Sequence, residues 1–133
     1  MKQLSIFLEN RAGRLSDALR ILADSQINLL SLSLADTSEY GMLRLLVSEP
    51  EDALLAIRRA GMSATLTDVV AVALPHEVGA LQKALTILCD AQINIEYMYA
   101  LYTGTKEAAI AIKTSAPGVA CDLLAGAGFK LLK

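Results

Sequence analysis

The chain has 133 residues, of which 54% are hydrophobic, 20% charged and 5% aromatic, with no Trp and a net charge of −2. Such a composition excludes a disordered chain, which is poor in apolar residues and rich in net charge. The weakly acidic balance leaves no electrostatic footprint for nucleic acid or an anionic membrane surface.

Two cysteines, Cys89 and Cys121, are too few and too far apart for a disulfide scaffold. No apolar run approaches the roughly 20 residues of a membrane helix; the stretch 69–74 is six long and ends at Pro75. The first apolar segment is short and cut off by Glu9, unlike a signal peptide. A cytoplasmic protein with reduced thiols is expected. The length fits one ordinary domain or two very small ones, and a small domain keeps much of its surface wet. So many apolar residues therefore imply that some face a partner.

In chain order, Leu4, Ile6 and Leu8 alternate with Ser5 and Glu9, a strand pattern broken only by Phe7. Leu15, Ala18, Leu19 and Leu22 recur at helical spacing and predict an amphipathic helix just after Gly13. Residues 28–35 read as a strand with Leu30, Leu32 and Leu34 on one face. The segment Asp36-Thr37-Ser38-Glu39 reads as a turn, and 42–47 as a returning strand. Pro50 suits a first helical position, Glu51 and Asp52 suit the positive helix end, and Gly61 stops that helix. Residues 62–66 read as a short last strand. This β-α-β-β-α-β order is the split βαβ pattern of the ferredoxin-like fold.

The second half repeats it, with elements predicted at 69–74, 79–91, 94–102, 106–113, 117–127 and 129–132. Over residues 13–28, ten of sixteen positions recur identically 66 residues later, from Gly13/Gly79 to Asn28/Asn94. Ala60-Gly61-Met62 matches Ala127-Gly128-Phe129 at offset 67, which places one extra residue near Thr103-Gly104-Thr105. The chain is a duplication, with domains predicted at 1–67 and 68–133. Each half carries a net charge of −1, yet all six arginines lie in the first and five of six lysines in the second; nothing in the sequence explains that asymmetry. With no Gly/Ser/Pro linker, the α+β units are expected side by side, each an antiparallel sheet with its helices on one face. Strands apolar on both faces, such as 69–74, break the alternation of a one-sided sheet. They point to a covered second face or joined edges, most simply in a homodimer.

The first strand-to-helix connection is Glu9-Asn10-Arg11-Ala12-Gly13-Arg14-Leu15. A glycine there lets backbone approach a ligand, free helix-start N–H groups favour an anion, and Asn10 both donates and accepts. Together they suit the carboxylate and ammonium of a free amino acid. The plainer alternative is that Gly13 makes a tight turn and Asn10 caps the helix.

Leu8-Glu9-Asn10-Arg11-Ala12-Gly13-Arg14-Leu15 followed by Gln26-Ile27-Asn28-Leu29 resembles the ACT domain, an amino-acid-binding regulatory module. The turn is similar to that of the regulatory domain of phosphoglycerate dehydrogenase. Pro75-His76-Glu77-Val78-Gly79-Ala80-Leu81 with Gln92-Ile93-Asn94-Ile95 looks like a second copy with a diverged turn. The resemblance covers essentially the whole chain as two tandem ACT domains. It implies an effector bound where two such domains meet. Asn10, Ala12, Gly13, Arg14 and Leu15 would then face Asn94, and His76, Val78, Gly79, Ala80 and Leu81 would face Asn28. The serine sensor's histidine is replaced by Leu8, so serine preference is not implied, and His76 makes the two sites chemically unequal. For Asn28 and Asn94 the plainer reading is a turn former behind the helix.

The expected function is thus a sensor or regulatory protein for a free amino acid, without cofactor or metal. The alternative is a non-catalytic regulatory subunit on a biosynthetic enzyme, as in acetolactate synthase. A small enzyme using His76 and Glu77 is disfavoured, since neither Ser nor Cys is near them in sequence. Cys89 and Cys121 lack a CxxC arrangement and read as small core residues. Tyr97, Tyr99 and Tyr102 could stack bases, but basic residues around them are sparse and interface packing is expected.

Overall fold

The computed structural model describes residues 1–36, 39–104 and 107–132. Thr37 and Ser38 of the expected turn, and Thr105 and Lys106 of the expected insertion and strand start, lie outside them. The chain divides into two compact units, Lys2–Thr67 and Asp68–Lys133, the latter together with Met1.

The first unit runs β1 (Lys2–Glu9), α1 (Arg14–Asp24), β2 (Leu29–Asp36), β3 (Tyr40–Val47), α2 (Pro50–Arg59) and β4 (Ala64–Asp68). The second runs β5 (Val70–Leu74), α3 (Ala80–Asp90), β6 (Ile95–Leu101), β7 (Ala108–Thr114), α4 (Pro117–Gly126) and β8 (Lys130–Leu131). Each unit holds one four-stranded sheet, ordered β2-β3-β1-β4 and β6-β7-β5-β8. This is the ferredoxin-like arrangement that the sequence order predicts.

Both units use the same local chemistry. Gly13 (φ 90°) and Gly79 (φ 85°) stand before α1 and α3 in the left-handed region, with no side-chain cap. Pro50 and Pro117 occupy the first turns of α2 and α4, where a missing N–H costs nothing. Past those two helices the chain reverses through Gly61 and Gly128. Past α1 and α3 it reverses through Gln26 (φ 60°) and Gln92 (φ 59°), while the next amides, of Ile27 and Ile93, bond back to Leu22 and Leu88 carbonyls at 3.0 and 2.9 Å. The turn-forming role considered for Asn28 and Asn94 therefore belongs to the glutamines two places earlier.

Alternation along β1 and β3 turns Leu4, Ile6, Leu8, Leu43, Leu45 and Val47 toward Ala18 and Leu22 of α1 and Ala53 and Ile57 of α2. In the second unit Val70, Val72, Leu74 and Ile112 meet Ala84, Leu88, Ala120 and Leu124. The helices thus cover one sheet face. All five residues of β5 are buried, and Ala71 and Ala73 pair with buried Ala111 and Ala109 on the other face. That double burial accounts for the unbroken apolar run 69–74.

Three expectations need correction. Cys89 is exposed and only Cys121 packs against the core, because Leu88 and Ala120 hold the inward helix positions. The last strand of the first unit starts at Ala64 rather than at residue 62, since Met62 is a buried core residue behind the turn. The single face expected for Leu30, Leu32 and Leu34 is broken at Leu30. The pairing of β2 shifts between Leu29 and Ser31, and Leu32 and Leu34 are each 46% exposed. Both lie on the helix side of the edge strand, beside Leu45 and Leu43, beyond the helices' reach. The matching shift in β6 falls between Ile95 and Tyr97.

Candidate functional site

The turn between β1 and α1 is built almost wholly by its backbone. The Arg11 amide bonds to the Glu9 carbonyl at 2.8 Å and the Arg14 amide to the Arg11 carbonyl at 3.4 Å. The first helical bond, from the Asp17 amide to the Gly13 carbonyl, is 2.9 Å. The second copy repeats all three, Glu77 to Pro75 at 2.8 Å, Ala80 to Glu77 at 3.3 Å and Lys83 to Gly79 at 3.0 Å. Equal geometry from unequal side chains shows that the turn rests on glycine and backbone bonding. Gly13 itself holds the N-cap position of α1, and the Asn10 amide bonds to the Glu39 carbonyl at 3.1 Å. The amides of Leu15 and Ser16 precede the first helical bond and stay open to an anion.

Each turn walls a cavity within its own unit. In the first, about 200 Å³ is lined by Leu8, Glu9, Asn10, Arg11, Leu15, Leu34 and Gly41. In the second, about 210 Å³ is lined by Leu74, Pro75, His76, Glu77, Ala80, Leu81, Ala108 and Ile110. Five lining pairs correspond at offset 66, Leu8/Leu74, Glu9/Pro75, Asn10/His76, Arg11/Glu77 and Leu15/Leu81, and Gly41/Ala108 correspond at 67. The duplication has preserved a concavity as well as a fold.

Residues 1–125 match the sequence model of the family described as ACT domain pair. The chain belongs to the ACT domain pair family. Protein BT0572 from Bacteroides thetaiotaomicron, known as a crystal structure, is 37% identical with a TM-score of 0.92, over 98% of this chain and 90% of that one. The regulatory subunit of aspartate kinase from Thermus thermophilus has a TM-score of 0.67 at 14% identity, over 96% and 92%. Its counterpart from Thermus flavus has 0.64 at 18%, over 95% and 91%. The Thermus likenesses are of fold. No curated protein sequence matches the chain.

Among the ACT turn residues singled out from sequence, Asn10 and Leu15 line the first cavity, and His76, Ala80 and Leu81 line the second. Ala12, Gly13, Val78 and Gly79 are exposed beside the linings, Val78 fully. Arg14 opens α1 with its side chain 23% exposed and its Nη1 3.9 Å from Asp17 Oδ2. Neither asparagine lines its own unit's turn cavity. The Asn28 backbone exchanges bonds with Ser48, its amide donating to Ser48 Oγ at 3.1 Å and its carbonyl accepting from the Ser48 amide at 3.0 Å. Asn94 lines an open hollow of about 410 Å³ with Leu85, Cys89, Gln92, Ile93 and Ile95.

Several lining residues escaped the sequence reading. Glu9 and Arg11 flank Asn10 and pair at 3.3 Å on the first rim. Gly41 had a legible signal, a lone glycine in a strand, which marks close backbone approach; a Cβ there would lie 3.4 Å from Leu34 Cδ1.

The His76 cavity presents imidazole and carboxylate over an apolar floor, with no serine or cysteine in its lining. Among the described residues no group of three His, Cys, Asp or Glu could hold a metal ion, and no helix is long and apolar enough to cross a membrane. Tyr97 and Tyr99 are half-buried and stack on each other, with centroids 6.5 Å apart and planes 13° apart, whereas Tyr102 is exposed.

Proposed function

We propose that this ACT domain pair is a non-catalytic regulatory protein that binds a free amino acid at its two β-to-α turns. The observation that carries the reading is the same cavity at the same turn in both units, each beside an uncapped helix start. The effector's carboxylate meets the open amides of α1 or α3. Its ammonium meets Asn10 or His76 and nearby carbonyl oxygens, and its side chain meets the leucines of the lining. Each site is completed by an asparagine from another ACT unit, Asn94 for the first turn and Asn28 for the second. Binding shifts assembly or partner contact only as far as its affinity differs between the two states. The protein acts in the cytoplasm as a homodimer and needs no cofactor or metal.

A thermal-shift screen of the twenty amino acids tests this, because a ligand bound only to the folded chain must raise Tm. At least one amino acid at millimolar concentration is expected to do so. Asn10→Ala and Asn94→Ala should weaken the same class of sites, and His76→Ala and Asn28→Ala the other. If no amino acid moves Tm, the reading is wrong.

A second reading is a resident regulatory subunit on a biosynthetic enzyme. It is favoured by the match of nearly this whole chain to nearly the whole of a chain that is itself an aspartate kinase regulatory subunit. Co-purification of a kinase or other biosynthetic enzyme with the tagged chain, lost on adding the effector, would support it.

A further inference from the structure

The second unit carries another hollow, of about 260 Å³, lined by Ala73, Leu74, Pro75, Glu107, Ala127, Gly128, Phe129 and Lys130. Strand register explains it. Lys130 of β8 pairs with Ala73 of β5, and Val72 and Leu131, the adjacent pair, belong to the helix side. Ala73 and Lys130 therefore face away from the helices. Glu107 immediately precedes Ala108, which pairs with Leu74 on the other side of β5. An acid from the β7 side and a base from the β8 side thus meet across the end of β5, over a floor of alanine, leucine, proline and phenylalanine.

We propose that this hollow is a second ligand site, adjoining the second turn cavity at Leu74 and Pro75 but built on other charged groups, that takes a small zwitterion of the α-amino-acid class. Lys130 Nζ and Glu107 Oε2 are 3.7 Å apart, with side chains 70% and 51% exposed. Direct charge-assisted hydrogen bonds are nearer 2.7–2.9 Å, so this pair is loose, and exposed pairs of this kind contribute little to stability. Opening the Lys130–Glu107 contact itself gives up little. A molecule bearing carboxylate and ammonium on one carbon replaces one loose pair with two close ones, carboxylate to Lys130 and ammonium to Glu107. The α4 C-terminal turn, Ala127 and Gly128, adds carbonyl dipoles that favour the ammonium. Ala73 and Phe129 leave room for a short apolar side chain.

The first unit does not repeat this chemistry. The counterparts of Ala73, Glu107 and Lys130 are Phe7, Tyr40 and Ser63, and the Phe7 amide there bonds to the Ser63 carbonyl at 3.0 Å. One such site per chain follows, against two turn sites.

Titration of the full-length ¹⁵N-labelled protein with L-valine, and with isovalerate and isobutylamine as single-charge controls, tests the proposal. Saturable shifts are expected at the amides of Ala73, Glu107, Gly128, Phe129 and Lys130; Leu74 and Pro75 line both hollows and do not discriminate. Glu107→Gln and Lys130→Met should each weaken these shifts about tenfold or more, the loss of one charge-assisted contact, and both controls should bind equally weakly. Exchanging the two charges, Glu107→Lys with Lys130→Glu, should restore binding to within a few-fold, which a purely structural role would not do. Shifts confined to residues 10–15 and 76–81 would overturn the second site while leaving the turn sites standing. Shifts at the hollow alone would uphold it and sink the turns. Valine binding unchanged by either variant, or absent at both places, overturns it.

Discussion

Gly13 and Gly79 are held by a backbone constraint that they share with Gly61 and Gly128. A Cβ added at either meets nothing within 4 Å, yet both hold φ near +90°. Strain alone sets the cost, about 1–2 kcal/mol for an L-residue in this region and more for a β-branched one. Gly13→Ala should lower the unfolding free energy by about 1–2 kcal/mol in urea denaturation, and Gly13→Val by more. Valine at this position therefore tests the fold, whereas Asn10→Ala, on the exposed turn, tests binding. Gly41→Ala is the contrast. Its φ is ordinary, its new methyl sits 3.4 Å from a leucine tip, and alanine already stands at the counterpart, Ala108. The change should stay within about 0.5 kcal/mol while narrowing the first cavity. At this scale the sequence was only partly legible. Glycine announced Gly13, but a left-handed glutamine runs against propensity, and only the identity of Gln26 and Gln92 at offset 66 marked it. Cys89 was misjudged because its helix was read by residue type; the phase set by Ala84 and Leu88 would have turned it outward.

Among the elements, β4 and β8 show how one fold can be closed in two ways. In the first unit Arg58, in the last turn of α2, donates from Nε and Nη2 to the Ala64 carbonyl at 3.1 and 2.9 Å. The guanidinium pins the start of a five-residue strand to the helix before it. Its counterpart is Ala125, and β8 spans two residues. Arg58→Met should remove about 1 kcal/mol, reduced from the full worth of a charged hydrogen bond by partial exposure. The equivalent change at Ala125 has nothing to break. Urea midpoints of Arg58→Met and Arg58→Lys check this, lysine recovering only part because it cannot span one carbonyl with two donors. Element order and the four helices followed from periodicity, Pro50, Pro117 and the repeat. The shifts at Leu30 and Glu96 did not, since a bulge depends on pairing between strands and those two residues share no chemistry. The hollow beside Lys130 was hidden for the same reason: only the β5–β8 register brings Glu107 and Lys130 together.

For the whole molecule, two parts of the surplus of apolar residues bear on assembly. One part is buried on both faces of β5, including four alanines whose small side chains fill little volume per residue. The other is exposed along β2, where Leu32 and Leu34 stand uncovered on an edge strand. An exposed apolar edge promotes association unless it is covered. We therefore expect sedimentation equilibrium to return twice the 14.2 kDa chain mass at micromolar concentration. Leu32→Lys with Leu34→Lys should shift the protein to monomers with its far-ultraviolet circular dichroism unchanged, because each side chain already meets solvent over nearly half its surface. The same pair of charges should also reduce amino-acid binding at the turn of the first unit, since Leu34 lines that cavity. Leu32→Lys alone, at a residue that does not itself line that cavity, separates the two effects: it should weaken the dimer and spare any binding that does not depend on assembly. A wild-type chain that remains monomeric at these concentrations would remove the homodimer from the proposal, and a double variant that remains dimeric would move the interface away from β2.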